Sequence, residues 1–182
     1  IDFQKRPSLE AQIASISDDI AYNSHDLEDG LRAKLFELKD LKNLPILNFI
    51  LKKHNNKFKR YSQDLVMRQI IREIINEMVK DIIRNTKKNI IKNNIKNIND
   101  VYKCENTIVC FSKKMSLFDI DIKKFLKKKM YFHKSVINKT NFGKKIIEHL
   151  FLEIKKNPSK YIDIKNIKKP NIDRAICDFI AG

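Results

Sequence analysis

The sequence predicts an all-α protein, and three observations carry that prediction. Only three glycines and four prolines punctuate 182 residues, and Asp29-Gly30 is the one turn-type Asp-Gly pair, whereas an all-β chain needs many tight turns. Apolar pairs at 65/66, 70/71, 74/75, 78/79 and 82/83 recur at a spacing that gives a wide helical stripe. Hydrophobic residues make up 42% of the chain, enough for a sizeable core and too many for wholesale disorder.

A first helix starts after Pro7-Ser8, with Ser8 as N-cap and Glu10 in the first turn near the positive end of the helix dipole, and runs to Gly30 or a little beyond. A second helical piece follows through LFELKDL (35–41), and Pro45 interrupts or restarts it. The third helix covers Asp64 to Ile83; its polar, Asn-rich continuation NTKKNIIKNNIKNIND reads as a fraying end or a surface loop before Val101. Between Val101 and Ser112 the stretch TIVCF is either a small strand or an extended connection. Helix resumes over Asp119 to His133 and again over Phe142 to Lys156, where Pro158 ends it, and a last helix follows Pro170-Asn171. No useful internal repeat is present, and one helical region spans 1–182.

The formal net charge of +16 raises a nucleic-acid partner. The excess is mostly Lys beside abundant Ile and Asn, residues that share A/T-rich codons, while Arg, the residue of bidentate phosphate and guanine contacts, is scarce. Nucleic-acid binding therefore stays a secondary reading. Cys104, Cys110 and Cys177 show neither CxxC spacing nor a neighbouring His cluster and read as reduced core thiols. With no apolar run of about 18 residues and no charged-then-apolar leader, a cytoplasmic protein with no membrane partner is expected. The chain starts at Ile1 and stops at Gly182 within an apolar run, the appearance of a fragment.

Against the basic background stands the acidic first helix, SLEAQIASISDDIAYNSHDLEDGLRA (8–33). At roughly 100° per residue, Leu9, Ile13, Ile16, Ile20, Leu27 and Leu31 fall inside about 60° and form the core-facing stripe, while Asp18, Tyr22, His25, Asp26 and Asp29 share the opposite side. A solvated face intersperses Lys at i+4 of its acids. Between Glu10 and Glu28 there is none, so a compensating cation is expected.

The pattern EAQ-x5-DDIAYxxHDLxDGLRA resembles the signature of the deoxyguanosine triphosphate triphosphohydrolase family within the HD-domain phosphohydrolases. LVMRQIIREIINEMVKDII resembles that family's long middle helix, FSKKM its F-S-x-x-M element, IKKFLKKKMYFHKSV its L-K-x-F-L…Y-x-H-x-x-V stretch, and RAICDFIAG its ending. The resemblance covers nearly the whole chain, in order. It implies the C-terminal part of a helical HD-type fold, and hydrolysis of a deoxynucleoside triphosphate to deoxynucleoside and triphosphate with a divalent metal (Mg, Mn or Fe). It also implies a homo-oligomer.

By resemblance, Asp18 is the distant Asp of the metal site, Tyr22 packs on the deoxyribose ring and Asp26 accepts a hydrogen bond from the 3′-hydroxyl. Steps of four residues advance one turn, about 5.4–6 Å, so the three lie in sequence along one side. His25-Asp26 spells the superfamily's dipeptide but is not its metal pair: no His precedes His25, and Asp18 and Asp26, about 11–12 Å apart along the axis, cannot share an ion with ligand distances of roughly 2–2.6 Å. The His and His-Asp ligands are expected upstream of this chain, leaving it inactive alone. His54 reads as a surface turn residue, His133 as a packing residue and His149 as a surface or core-edge residue; Arg32 and Tyr131 match the family without an assigned role. The rivals are another HD-type phosphohydrolase, a basic helical module binding nucleic acid, and an inactive remnant.

Overall fold

The computed structural model describes residues 6–58, 61–163 and 171–182, with the backbone alone for 53–58. All described regular structure is helical, as the sequence predicts, and it divides into two compact units, Ile1–Tyr131 and Phe132–Gly182.

In the first unit, α1 spans Leu9–Arg32, and the Ser8 hydroxyl accepts from the Ala11 amide at 3.3 Å, the expected cap. The helix ends by a left-handed residue: Lys34 has φ 54°, its amide donates to Leu31 O at 3.1 Å, and the Leu35 amide donates to Gly30 O at 2.9 Å. Those two bonds are a Schellman motif that satisfies the last carbonyls. It turns the chain so that LFELKDL is not the expected second helix. Phe36 instead drops into the core, edge-on to Phe125 at 4.9 Å, and only the short 3-10 turn Asp40–Asn43 is helical. Helix α2, Pro45–Phe58, starts on the proline, whose missing N–H costs nothing at a first helical position.

Helix α3, Gln63–Lys92, starts on the Ser62 cap and runs 30 residues, straight through the Asn-rich tract expected to fray. The asparagines are why it persists. Asn85 Nδ2 donates to Cys110 O and Asn89 Nδ2 to Ile108 O, both at 2.9 Å, and Asp81 accepts from the Ser112 amide and hydroxyl at 2.8 Å. This row at i, i+4, i+8 clasps one side of the extended segment 108–112. From the other side Gln12 Oε1 of α1 accepts both the Ile108 and Val109 amides at 3.0 Å. TIVCF is thus the extended connection of the two readings.

A second Schellman turn, at Asn94 (φ 51°), ends α3, and the capping box of Asn97 and Asp100 starts the short helix α4, Ile98–Lys103. Helix α5, Lys113–Leu126, follows on the Ser112 cap and passes into a wider π turn over Lys127–Tyr131. The core is built from Ile20 and Leu27 of α1, Leu47 and Ile50 of α2, Ile70, Ile74 and Met78 of α3, and Phe118, Ile122 and Leu126 of α5. Each such burial contributes about 1.5–3 kcal/mol.

In the second unit, α6 spans Lys134–Lys156, eight residues longer at its start than the apolar spacing predicts, because the His133 ring caps it through the Ser135 amide. Pro158 ends it, as expected, in a 3-10 turn, and α7, Ile172–Ala181, packs on α6, with Ile154 and Ile176 buried and Lys155 paired to Asp173 at 2.7 Å. Pro170 lies outside the described residues. Among the described residues no helix is long and apolar enough to cross a membrane.

Candidate functional site

Helix α1 does not bury the plain apolar stripe that its periodicity suggests. Ile20 and Leu27 are buried, but so are Gln12, Asn23, Ser24 and Gly30, while Ile13 is 49% exposed. Beside its packing on α3, the buried arc takes in segment 108–112 and α5, where the polar side chains Gln12 and Asn23 reach their partners. Asp18 and Tyr22 remain on the open side, Tyr22 at 65% exposure, and Asp26 is half-buried.

For Asp19 the cation missing from α1's own i+4 position comes from α5. Lys123 of α5 reaches Asp19 at 3.3 Å and Asp119 at 2.9 Å, and Asn23 Nδ2 donates to the other Asp119 oxygen at 2.9 Å. Burial opposes the Lys123 charge, but the bonds and charges of Asp119 and then Asp19 outweigh it and hold the ammonium above its ordinary pKa. Tyr131 Oη donates to Asp26 Oδ2. Burial first, and then the bond and charge of Asp26, push the phenol up to about 12. Arg32 pairs with Glu28 at 2.6 Å, the structural role its motif position left open.

The row is thereby sorted. Asp19, Asp26 and Glu28 have partners; Asp18 and Asp29 have no ion-pair partner among the described residues. Asp18 sits over a shallow depression with Ala14, Ser15, Ser17 and Ala21, small side chains that let another group approach. As a lone exposed carboxylate it fits one position of a hard-cation site. Among the described residues no three His, Cys, Asp or Glu side chains converge to complete such a site.

The remaining expectations resolve as follows. His54 lies within α2, not in a turn. The Nδ1 of His133 caps α6 and lies 2.8 Å from Ser135 Oγ, and His149 lines a surface hollow with Leu152 and Lys156. Cys104 and Cys110 are only half-buried and Cys177 is exposed, so none is the core residue expected; Cys110 Sγ instead accepts from Asn85 and Asn89. Asn23, Asp119, Lys123 and the Tyr131 contact escaped sequence reasoning, since their partners lie 96 to 105 residues apart.

Residues 109–182, from the clasped segment to the last helix, match the family model described as "Phosphohydrolase-associated domain". Over its full length the chain is 48% identical to a deoxyguanosinetriphosphate triphosphohydrolase-like protein of Pelagibacter ubique (strain HTCC1062), covering 49% of that protein. Proteins of the same name from Bartonella tribocorum (32% identity, 96% of this chain, 45% of that protein) and Leptospira interrogans serovar Lai (35%, 97% and 48%) are also similar. The chain belongs to the deoxyguanosinetriphosphate triphosphohydrolase-like family of HD-domain proteins. It spans about half the length of the curated relatives it matches.

Proposed function

We propose that this chain is the C-terminal helical part of a metal-dependent deoxynucleoside triphosphate triphosphohydrolase, to which it contributes one metal ligand and the sugar-reading face. The observation that carries the reading is the sorting of α1's carboxylates. Among the described residues Asp18 has no ion-pair partner and lies at a surface of small residues, and Asp26, a little over two turns on, accepts from Tyr131 through Oδ2. In this reading Asp18 binds a divalent ion whose other donors, a His and a His-Asp pair, come from outside the chain. Such an ion supplies Lewis acidity at the α-phosphorus and an activated water.

Tyr22, exposed between the two acids, lies against the deoxyribose ring, where an aromatic face offers apolar area at small entropic cost. The other Asp26 oxygen accepts the 3′-hydroxyl. A site built to bond a hydroxyl discriminates strongly against the analogue lacking it, because its own buried polar group is left unpaired.

The test uses the longer protein that contains this chain, assayed for triphosphate release with Mn or Mg. Asp18→Asn should lower turnover by about a hundredfold, the upper end of what loss of an outer-shell partner of a metal ligand costs. Asp26→Asn should weaken a 3′-hydroxyl substrate while leaving its 3′-deoxy analogue little changed. The 182-residue chain alone should release nothing. Equal rates for 3′-hydroxyl and 3′-deoxy substrates in the parent enzyme would remove the sugar-reading role, and activity in the short chain would remove the metal assignment. A panel with phosphodiesters and monophosphates separates this reading from another HD-type phosphohydrolase.

A further inference from the structure

Asp119 is a carboxylate at 9% exposure, and both its oxygens are used across helices or along one: Oδ1 accepts from the buried Asn23 amide of α1, and Oδ2 meets Lys123, which reaches on to Asp19. A carboxylate is withdrawn from water at a cost of several kcal/mol unless it is paired and hydrogen-bonded. The apolar contacts of α5, through Phe118, Ile122 and Leu126, would keep the helix buried in many rotations and slides, because apolar attraction has no direction. Directional bonds select one of them. On α1, Asn23 lies one turn after Asp19 and three residues before Asp26, so the contact sits between the two acids that α5 and its π turn partner.

We propose that Asp119 is the positioning residue of the acidic face: gripping Asn23 and Lys123 at once, it fixes the register of α5 on α1, so that Lys123 meets Asp19 and Tyr131 meets Asp26. The phosphohydrolase-associated segment, which contains α5 but not α1, then acts on the site mechanically, by holding the carboxylates of a helix outside itself. The inference deepens the nucleotide reading of α1 and rests on it for its purpose, but its test does not need activity. Failure of the longer protein to release triphosphate would remove that reading and leave the bracing result standing.

The probe is the Tyr131–Asp26 contact in the 182-residue chain, followed by the 13Cζ tyrosine resonance that Tyr131→Phe removes. With a phenol at about 12, roughly 3% is ionised at pH 10.5. Asp119→Asn keeps the shape and loses the grip on Lys123. Asn23→Ser removes the amide donor without changing any charge, so a shift there is geometric. Each should raise the phenolate fraction at pH 10.5 about eightfold, the effect of a one-unit fall, while Lys123→Arg holds the parent value. Ile122→Val, which trims a fully buried side chain of the same helix, should also leave it unchanged. A folded Asp119→Asn or Asn23→Ser chain with the parent signal overturns the proposal, as does an equal shift in Ile122→Val. If Asp119→Asn does not fold, as far-UV circular dichroism would show, Asn23→Ser decides.

Discussion

Replacing Gly30 with alanine sets two opposed effects against each other. Gly30 lies in the last turn of α1, where alanine is favoured over glycine by about 1 kcal/mol of helix propensity. An added Cβ, however, would come within 2.5 Å of Phe36 Cζ, closer still to Cε1 and within 3.3 Å of Cδ1, against an ordinary contact of 3.4–4 Å. The ring has little room to retreat, since Phe36 is 4% exposed and stands edge-on to Phe125 with an interplanar angle of 82°. Overpacking costs about 1–3 kcal/mol, and disturbing the aromatic pair about 0.5–1.5 kcal/mol more. The clash wins, and Gly30→Ala should destabilise the first unit by about 1–3 kcal/mol net. Urea unfolding followed by circular dichroism should show a midpoint lower by roughly 0.5–1.5 M, for a slope of about 2 kcal/mol/M. In a Phe36→Leu background the same substitution should become neutral or favourable. A midpoint at or above the parent for Gly30→Ala alone would refute the reasoning.

Lys34→Gly should stabilise the chain by about 0.5–1 kcal/mol: relief of a left-handed residue is worth about 1–2 kcal/mol, less the extra freedom of glycine in the unfolded chain. Lys34→Ala keeps the strained backbone and should not reproduce the gain, so equal melting temperatures for the two would sink the account. The Tyr131 phenol has a folded pKa of about 12, above its ordinary value near 10. A raised pKa means that the fold favours the neutral phenol, so this stabilisation is complete below pH 10 and is lost as pH rises through 12. The difference in urea midpoint between parent and Tyr131→Phe should shrink between pH 10 and 12, and a constant difference would count against the contact.

The helices were legible where local chemistry decides them: Ser8 as a cap, the stripe of α3, Pro158 as a stop. Reading failed where a distant group decides. The Asn-rich end of α3 looks like a loop until segment 108–112 lies on it and takes its amides. LFELKDL has helical composition, but a lysine in the left-handed region is not a signal a sequence gives, since glycine is the residue expected there. On α1 periodicity put Asp18 and Tyr22 on the open side, whereas Asp26 is half-buried and the partners that distinguish Asp19 and Asp26 from Asp18 come from α5 and its π turn, about a hundred residues on. The missing lysines pointed to a compensating cation, and Asp19 finds one in Lys123.

By composition, Thr107 to Phe111 is the kind of uncharged, β-branched stretch that stacks with copies of itself into fibrils. Here the amides of Ile108 and Val109 and the carbonyls of Ile108 and Cys110 are occupied by Gln12, Asn89 and Asn85, so the segment offers a neighbouring molecule no open ladder to template on. Three polar side chains thus serve as a sheath, and two of them, Asn85 and Asn89, are the same groups that carry α3 on past its apolar stripe.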